Sequence, residues 1–262
     1  ERNVGRVQRL MRRWIIPRAA ACIPVSSGAR DKYLSYGADP AHVHIAIQTV
    51  DTDFFEQRAA ELRPSATLWR RERGIEGKLI VSVGSLIERK GLCHLIEALA
   101  LLHQRLPGIH LALIGDGPLR GDLAQQARER GLGAFVYFPG FAQPDDLVRW
   151  LAAADVFAFP TLEDTFGVVV NEAMAAGLPV VSSIYAGATR DLVHDGENGF
   201  AVDPTDHAVL ADCLYRILSD DALAKRMGEA SRRIIAQKGI EASAAGFLAA
   251  IRDALGQRPS SG

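Results

Sequence analysis

The 262-residue chain is 48% hydrophobic, enough for a buried core, and its 30 Lys and Arg are balanced by 31 Asp and Glu. Length alone allows one large domain or two small ones, and the charge balance excludes a global field that would recruit nucleic acid, so any nucleotide must be held locally. Cys22, Cys93 and Cys213 are odd in number, far apart and without metal-ligand spacing, which predicts reduced thiols and a cytoplasmic protein without a resident metal.

The apolar runs fall short of the ~20 residues of a membrane helix, and no leader pattern opens the chain. It begins inside a predicted helix, with Val4, Val7, Met11 and Trp14 on one face and six arginines before Ala19. Packing against a preceding part of a domain is the simpler use of that helix. A basic amphipathic helix can also lie on the inner face of an anionic membrane, so peripheral association is the alternative. Next come a predicted strand at Cys22 to Val25, a helix capped by Ser26 and running to Tyr36, a Gly37/Pro40 break, and a strand at His42 to Ile47. Two strands are marginal alone, so residues 1–50 read as the tail of a domain, and the polar residues 51 to 65 as a connection.

From Lys78 onward, apolar runs alternate with helical patterns, the signature of βαβ units and a parallel sheet. Strands are predicted at Leu79 to Val83, His110 to Ile114, Phe135 to Phe138, Val156 to Phe159 and Val180 to Ser182. None shows the polar alternation of a half-exposed strand, so helices should cover both faces. Leu92 to Arg105, Pro118 to Arg130, Pro144 to Ala153 and Val168 to Ala176 supply them, with apolar residues at i, i+3, i+4 and i+7. After Asp206 the pattern is helical to Leu255, followed by a tail at Arg258 expected to be disordered. The expected fold class is α/β, Rossmann-like, with a complete domain at 51–238 and a C-terminal helix and tail at 239–262.

Three strand-to-helix turns carry candidate chemistry. In Asp164-Thr165-Phe166-Gly167-Val168-Val169, followed by Glu172, a short polar loop ends a strand and opens a helix. Free amides of Gly167, Val168 and Val169 would then lie at the carboxyl edge of the sheet, where donors and helix dipole favour a phosphate. Carboxylates accept from sugar hydroxyls, so Asp164 and Glu172 beside such a cradle suit a ribose or hexose. Taken alone, Asp164 reads better as an N-terminal helix cap and Glu172 as a solvated face residue. The second turn is Gly84-Ser85 to Arg89-Lys90-Gly91, with Lys90 placed at a helix mouth to meet a diphosphate; a solvated basic loop is the plain alternative. The third, Gly115-Asp116-Gly117-Pro118, is off the dinucleotide spacing, and no acidic residue follows the next strand, which argues against NAD. His42 and His44 share a strand face without an apparent third metal ligand.

In this order, together with Ala154-Asp155-Val156 and Asp195-Gly196-Glu197-Asn198-Gly199-Phe200, the motifs resemble the C-terminal domain of family 4 retaining glycosyltransferases, from about Cys22 to Ile234. That family has a GT-B fold of two Rossmann domains, the nucleotide sugar being held mainly by the second. The resemblance implies that Lys90 neutralises the donor diphosphate and that the Gly167 to Val169 amides support sugar and phosphates. It also implies that Glu172 accepts from the ribose, that Asp164 engages the transferred sugar, and that Tyr137 to Phe141, including Phe138, Gly140 and Phe141, line the base pocket. The donor, such as a UDP- or GDP-sugar, is a substrate and no cofactor is implied. The acceptor is a glycan, a lipid or a small molecule.

Three positions depart from the family pattern. Ser85 stands where many relatives carry Arg; a charge-assisted hydrogen bond contributes about 1.5–3 kcal/mol, so its loss would weaken donor binding about ten- to a hundredfold unless Arg89 compensates. Asp164 is one methylene shorter than the usual Glu, leaving Glu163 as a substitute. Gln48-Thr49-Val50-Asp51 replaces the usual interdomain Asn-Gly-Val-Asp. With the acceptor domain and its histidine expected upstream, the chain should bind nucleotide sugar weakly and transfer nothing alone. A non-catalytic nucleotide-binding module and a sugar-nucleotide epimerase of the same architecture are the rival readings. Transfer restored by adding an N-terminal half would favour the transferase over the module, and the epimerase would need catalytic carboxylates and a histidine that no motif supplies.

Overall fold

The computed structural model describes residues 5–256. Its contacts divide into two units: Val50–Gln237, and the chain on either side of it, up to Thr49 and from Lys238.

In the second of these, α1 (Arg6–Ile15) buries no residue and exposes Val7, Leu10, Met11, Trp14 and Ile15. Helix α2 (Ser27–Ser35) starts where its cap predicts, with the Ala29 N–H donating to Ser26 Oγ at 3.1 Å. The two strands expected at Cys22 to Val25 and His42 to Ile47 reduce to one parallel bridge, Cys22 with Val43. Amides of His44 and Ala46 still donate to the Cys22 and Pro24 carbonyls. Pro24 has no N–H to return, and Pro40–His42 is wound into a 3-10 turn, so the ladder loses a rung and its start.

In the larger unit, the expected polar connection at 51–65 is instead helix α3 (Thr52–Leu62) and a 3-10 turn at Arg63–Ser65, and α4 (Ala66–Arg71) follows it. Asp51 Oδ1 caps α3 at the Phe54 amide, and Phe55 and Ala59, one turn apart, form its whole buried stripe. So narrow a stripe among charged residues hides the helical period in the sequence. Six strands and their connecting helices follow: β1 (Leu79–Val83), α5 (Leu92–Arg105), β2 (His110–Ile114), α6 (Arg120–Glu129), β3 (Val136–Gly140), α7 (Pro144–Ala153) and β4 (Val156–Phe159). Then come α8 (Val169–Ala175), β5 (Val180–Ser183), α9 (Thr189–Leu192), β6 (Gly199–Val202), α10 (His207–Leu218) and α11 (Asp221–Ala236). The helical run expected to Leu255 is thus broken into α10, α11 and α12 (Ile240–Ala254). By length and composition Asp221–Ala254 passes as one membrane-crossing helix, but the break before Ile240 splits it, and α11 buries Met227, Ala230 and Ile235.

Helix α12, expected to stand apart, groups with the amino-terminal unit. A Cβ at Gly246 would come within 2.2 Å of the Ile45 carbonyl oxygen, and Asp253 Oδ2 meets His42 Nδ1 and His44 Nε2, each at 2.8 Å. The paired histidines thus hold a carboxylate, and no metal-binding group of three or more His, Cys, Asp or Glu occurs among the described residues.

The sheet is parallel throughout, in the order β3-β2-β1-β4-β5-β6. Ile80, Leu111, Leu113, Val156, Ala158 and Val181 join the core formed with α5, α6 and α10. Their neighbours alternate to the other face, where α3, α7, α8 and α11 pack together. Strand β6 is not among the expected strands: it has four residues, begins at a glycine, follows a turn, and carries an apolar run of only three residues, Phe200 to Val202. In that turn the buried Asn198 accepts from the His194 amide and donates to the Leu192 carbonyl. The expected helix start at Pro118 moves to Arg120 because Gly117 and Pro118 belong to the turn. Asp155 ties the amino edge together, binding Arg70 at 2.7 Å and the Leu79 amide at 2.8 Å. The tail at Arg258 lies outside the described residues.

Candidate functional site

Strand order reverses between β1 and β4, so the loops leaving their carboxyl ends part in opposite directions and leave a crevice, the usual ligand position in an open parallel sheet. Both glycine-bearing loops of interest flank it. After β1 the chain turns at Gly84, and after β2 at Gly115 (φ +137), where a Cβ would lie 2.0 Å from the Gly84 carbonyl oxygen. Only glycine lets these loops touch.

Across the crevice, Arg89 and the residues after β4 are sewn together. Buried Thr161 Oγ1 lies 3.0 Å from the carbonyls of both Arg89 and Glu163, the Leu162 amide donates to the Arg89 carbonyl at 2.8 Å, and Arg89 Nη1 donates to the Glu163 carbonyl at 3.0 Å. Arg89 therefore clamps two loops through one guanidinium nitrogen, while the side chain stays exposed near Ser85. Lys90, next in the chain, extends over Gly84, reaching Asp164 Oδ2 at 2.6 Å with its ammonium 5.1 Å from the Phe159 ring centroid. Both side chains of this pair are only 15% exposed. The two residues proposed from separate motifs thus meet at the strand-order reversal.

Asp164 is not the cap of α8. Its Oδ1 accepts from the Phe166 amide at 3.1 Å, and its backbone pairs with the loop after β5, receiving the Gly187 amide at 3.0 Å. Gly167 follows at φ +96, where a Cβ would be 2.6 Å from the Phe159 ring. That conformation starts α8, which has no side-chain cap, so the amides of Gly167, Val168 and Val169 are first-turn donors without intrahelical acceptors. Glu172 lies in the same helix, and it is not a solvated face residue: Oε2 is buried with no hydrogen-bond partner, and that burial pushes the carboxyl up to about 7. Among the described residues no cation pairs with Glu172, so Lys90 and Asp164 meet each other while Glu172 waits for a donor. Glu163 is exposed, with its carbonyl, not its carboxylate, in the clamp.

On the other flank, the Gly115 amide donates to the Gly140 carbonyl, joining the β2 and β3 ends. Phe141 is 74% exposed. Arg120, which no sequence motif singles out, donates to the Phe138 carbonyl at 2.7 Å and lies 5.8 Å from its ring centroid. Phe159, Thr161 and Gly187 were missed as well; the first two look like ordinary strand-end residues, and no motif marks them. A cavity of about 600 Å³ lined by Gly77, Lys78, Gly108 and His110 lies at the opposite, amino edge of the sheet, away from all these loops.

The fold has known counterparts. Among solved structures, Anabaena HepE in complex with UDP superposes with a TM-score of 0.84 at 23% identity, over 95% of this chain and 68% of that one. WaaG, a glycosyltransferase involved in lipopolysaccharide biosynthesis, gives 0.73 at 24%, over 86% and 61%. These likenesses establish the fold as the Rossmann-like half of GT-B structures. Among curated sequences, the lipopolysaccharide core biosynthesis glycosyltransferase LpsE of Rhizobium meliloti is 38% identical over 154 residues, 59% of this chain and 43% of that protein. The alpha-D-kanosaminyltransferase of Streptomyces kanamyceticus is 27% identical over 257 residues, 98% of this chain and 66% of that protein. The chain thus spans about half to two thirds of the length of these relatives. A family model described as glycosyl transferases group 1 matches residues 66–234, well over half of the chain, and the chain belongs to that family.

Proposed function

We propose that this chain is the donor-binding part of a retaining glycosyltransferase that moves a sugar from a nucleoside-diphosphate sugar to an acceptor hydroxyl. The observation that carries this reading is the meeting of Lys90 and Asp164 across the crevice where strand order reverses, beside the open amides of α8. In this reading Lys90 and the amides of Gly167 to Val169 hold the diphosphate and stabilise charge as it leaves. Glu172, buried and unpartnered, accepts from ribose hydroxyls; Asp164 accepts from the sugar; and the β3 end, braced by Arg120, lines the base pocket. No metal or cofactor takes part.

Two similar proteins support the substrate class: the structural neighbour HepE was crystallised in complex with UDP-glucose, and a Mycobacterium tuberculosis relative, 33% identical over 215 residues, is a GDP-mannose-dependent mannosyltransferase. Transfer would need the part of those proteins that this chain does not span, so we expect binding without turnover. The thiols of Cys22, Cys93 and Cys213 are unpaired, which supports action in the cytoplasm, and the exposed apolar and arginine residues of α1 would suit attachment at the inner face of a membrane. Titration calorimetry with UDP, UDP-glucose, GDP and GDP-mannose tests the donor site. One base should bind, and Lys90→Ala should weaken it at least about tenfold, the worth of a charge-assisted contact; equal affinity in wild type and variant would refute the assignment.

A further inference from the structure

We propose that Asp164 competes with the donor diphosphate for Lys90 and thereby sets a preference for the intact nucleotide sugar over the nucleoside diphosphate left after transfer. The inference rests on the donor-site reading above and adds a specificity role to it.

Lys90 is the cation paired across this crevice. Ser85 brings no charge, and Arg89 is engaged with the Glu163 carbonyl. Among the described residues Lys90 has one anionic partner, Asp164, at 2.6 Å, and both side chains are largely buried. Phe159 and the Gly84 backbone enclose the ammonium on other sides. A diphosphate reaching Lys90 must therefore take it from Asp164.

Asp164 cannot simply follow. Its Oδ1 is held by the Phe166 amide, and its backbone is tied to the loop after β5. Lys90 has four methylenes on which to swing. Once the ammonium turns to the phosphates, Oδ2 is left as a largely buried carboxylate oxygen without a donor, near another anion, which is unfavourable. A sugar hydroxyl supplies the missing donor; a bare nucleoside diphosphate supplies none. After the sugar leaves, Asp164 reclaims Lys90 and favours departure of the diphosphate.

The test compares UDP with UDP-glucose, and GDP with GDP-mannose, on the whole chain by titration calorimetry. Asp164→Asn keeps Oδ1 for the Phe166 amide, removes the charge and puts an amide donor where the Oδ2 acceptor was. The wild type should prefer the sugar nucleotide. In Asp164→Asn, affinity for the nucleoside diphosphate should rise about tenfold, the size of one charge-assisted contact, while the sugar nucleotide gains less, so the preference collapses. Asp164→Glu, which restores a carboxylate, should recover a preference of the wild-type sign, which a purely structural role for the loop would not require. Should Asp164→Asn fail to fold, Asp164→Ser also caps the Phe166 amide and is expected to read the same way. An unchanged ratio in the neutral variants, with Lys90→Ala still weakening both ligands, overturns this proposal alone. No binding of any of the four ligands, or none sensitive to Lys90, overturns the donor-site reading and the proposal with it.

Discussion

Replacing Glu172 by Gln removes one ionisable group from a largely buried position. The carboxyl is raised from its ordinary 4.5 to about 7 because it is buried without a partner. A shift of that size corresponds to about 3 kcal/mol, at 1.36 kcal/mol per unit. The folded chain keeps a proton there that the unfolded chain releases between about pH 4.5 and 7, so stability falls as pH rises through that window. Above it the ionised carboxylate destabilises the fold by the full amount. Gln has nearly the same shape and no charge to desolvate. Urea unfolding between pH 4.5 and 8 should therefore show a fall for the wild type that the variant lacks, with Glu172→Gln the more stable protein at pH 8 by up to about 3 kcal/mol.

Binding gives the complementary signal. Ribose hydroxyls donating to Glu172 favour its ionised form, so the donor should expel the proton. Affinity for UDP-glucose or GDP-mannose, neither of which has a phosphate ionising near pH 6, should rise from pH 6 to 8 in the wild type and stay flat in the variant. Identical pH slopes for both proteins in both assays would refute the claim that this carboxyl is buried, unpartnered and ligand-facing.

Three further substitutions probe the scaffold. Gly167→Ala puts a Cβ 2.6 Å from the Phe159 ring at a φ of +96 and should cost about 1–3 kcal/mol in urea unfolding; a smaller loss would mean that the loop shifts easily. Asp155→Ala leaves Arg70, paired at 2.7 Å and largely buried, without its carboxylate, and should destabilise the larger unit by about 3–5 kcal/mol; a change near zero on the same denaturation curve would show the pair to be dispensable. Asp253→Asn removes the carboxylate shared by His42 and His44. The hydrogen bond to Asp253 raises His42, a contribution present below the ordinary histidine value and lost as pH rises through the raised one. The bonds from His44 and His42 lower Asp253, a contribution present above the ordinary aspartate value and lost as pH falls through the lowered one. The clasp is thus strongest in mildly acidic solution, and amide exchange in α12 should accelerate more at pH 6 than at pH 8 in the variant.

Continuous apolar runs and helical spacing determined β1, β2, β4, α5 and α7 to the residue, because a strand buried on both faces and an amphipathic helix each write their burial into local order. The identities of Lys90, Asp164 and Glu172 were legible for a related reason: each lies in a glycine-bearing strand-to-helix segment that follows such a strand. What local order could not hold was decided by tertiary contact. Helix α3 rests on two buried side chains, β6 on a turn organised by Asn198, and the grouping of α12 on Gly246 and Asp253 meeting residues some two hundred positions earlier. The same holds within the site. Chain distance does not show that Arg89 donates to a carbonyl of the opposite loop, that Asp164 pairs with Lys90, or that Glu172 Oε2 is buried without a protein partner, since each depends on which groups the fold excludes from water and which it brings within hydrogen-bonding reach.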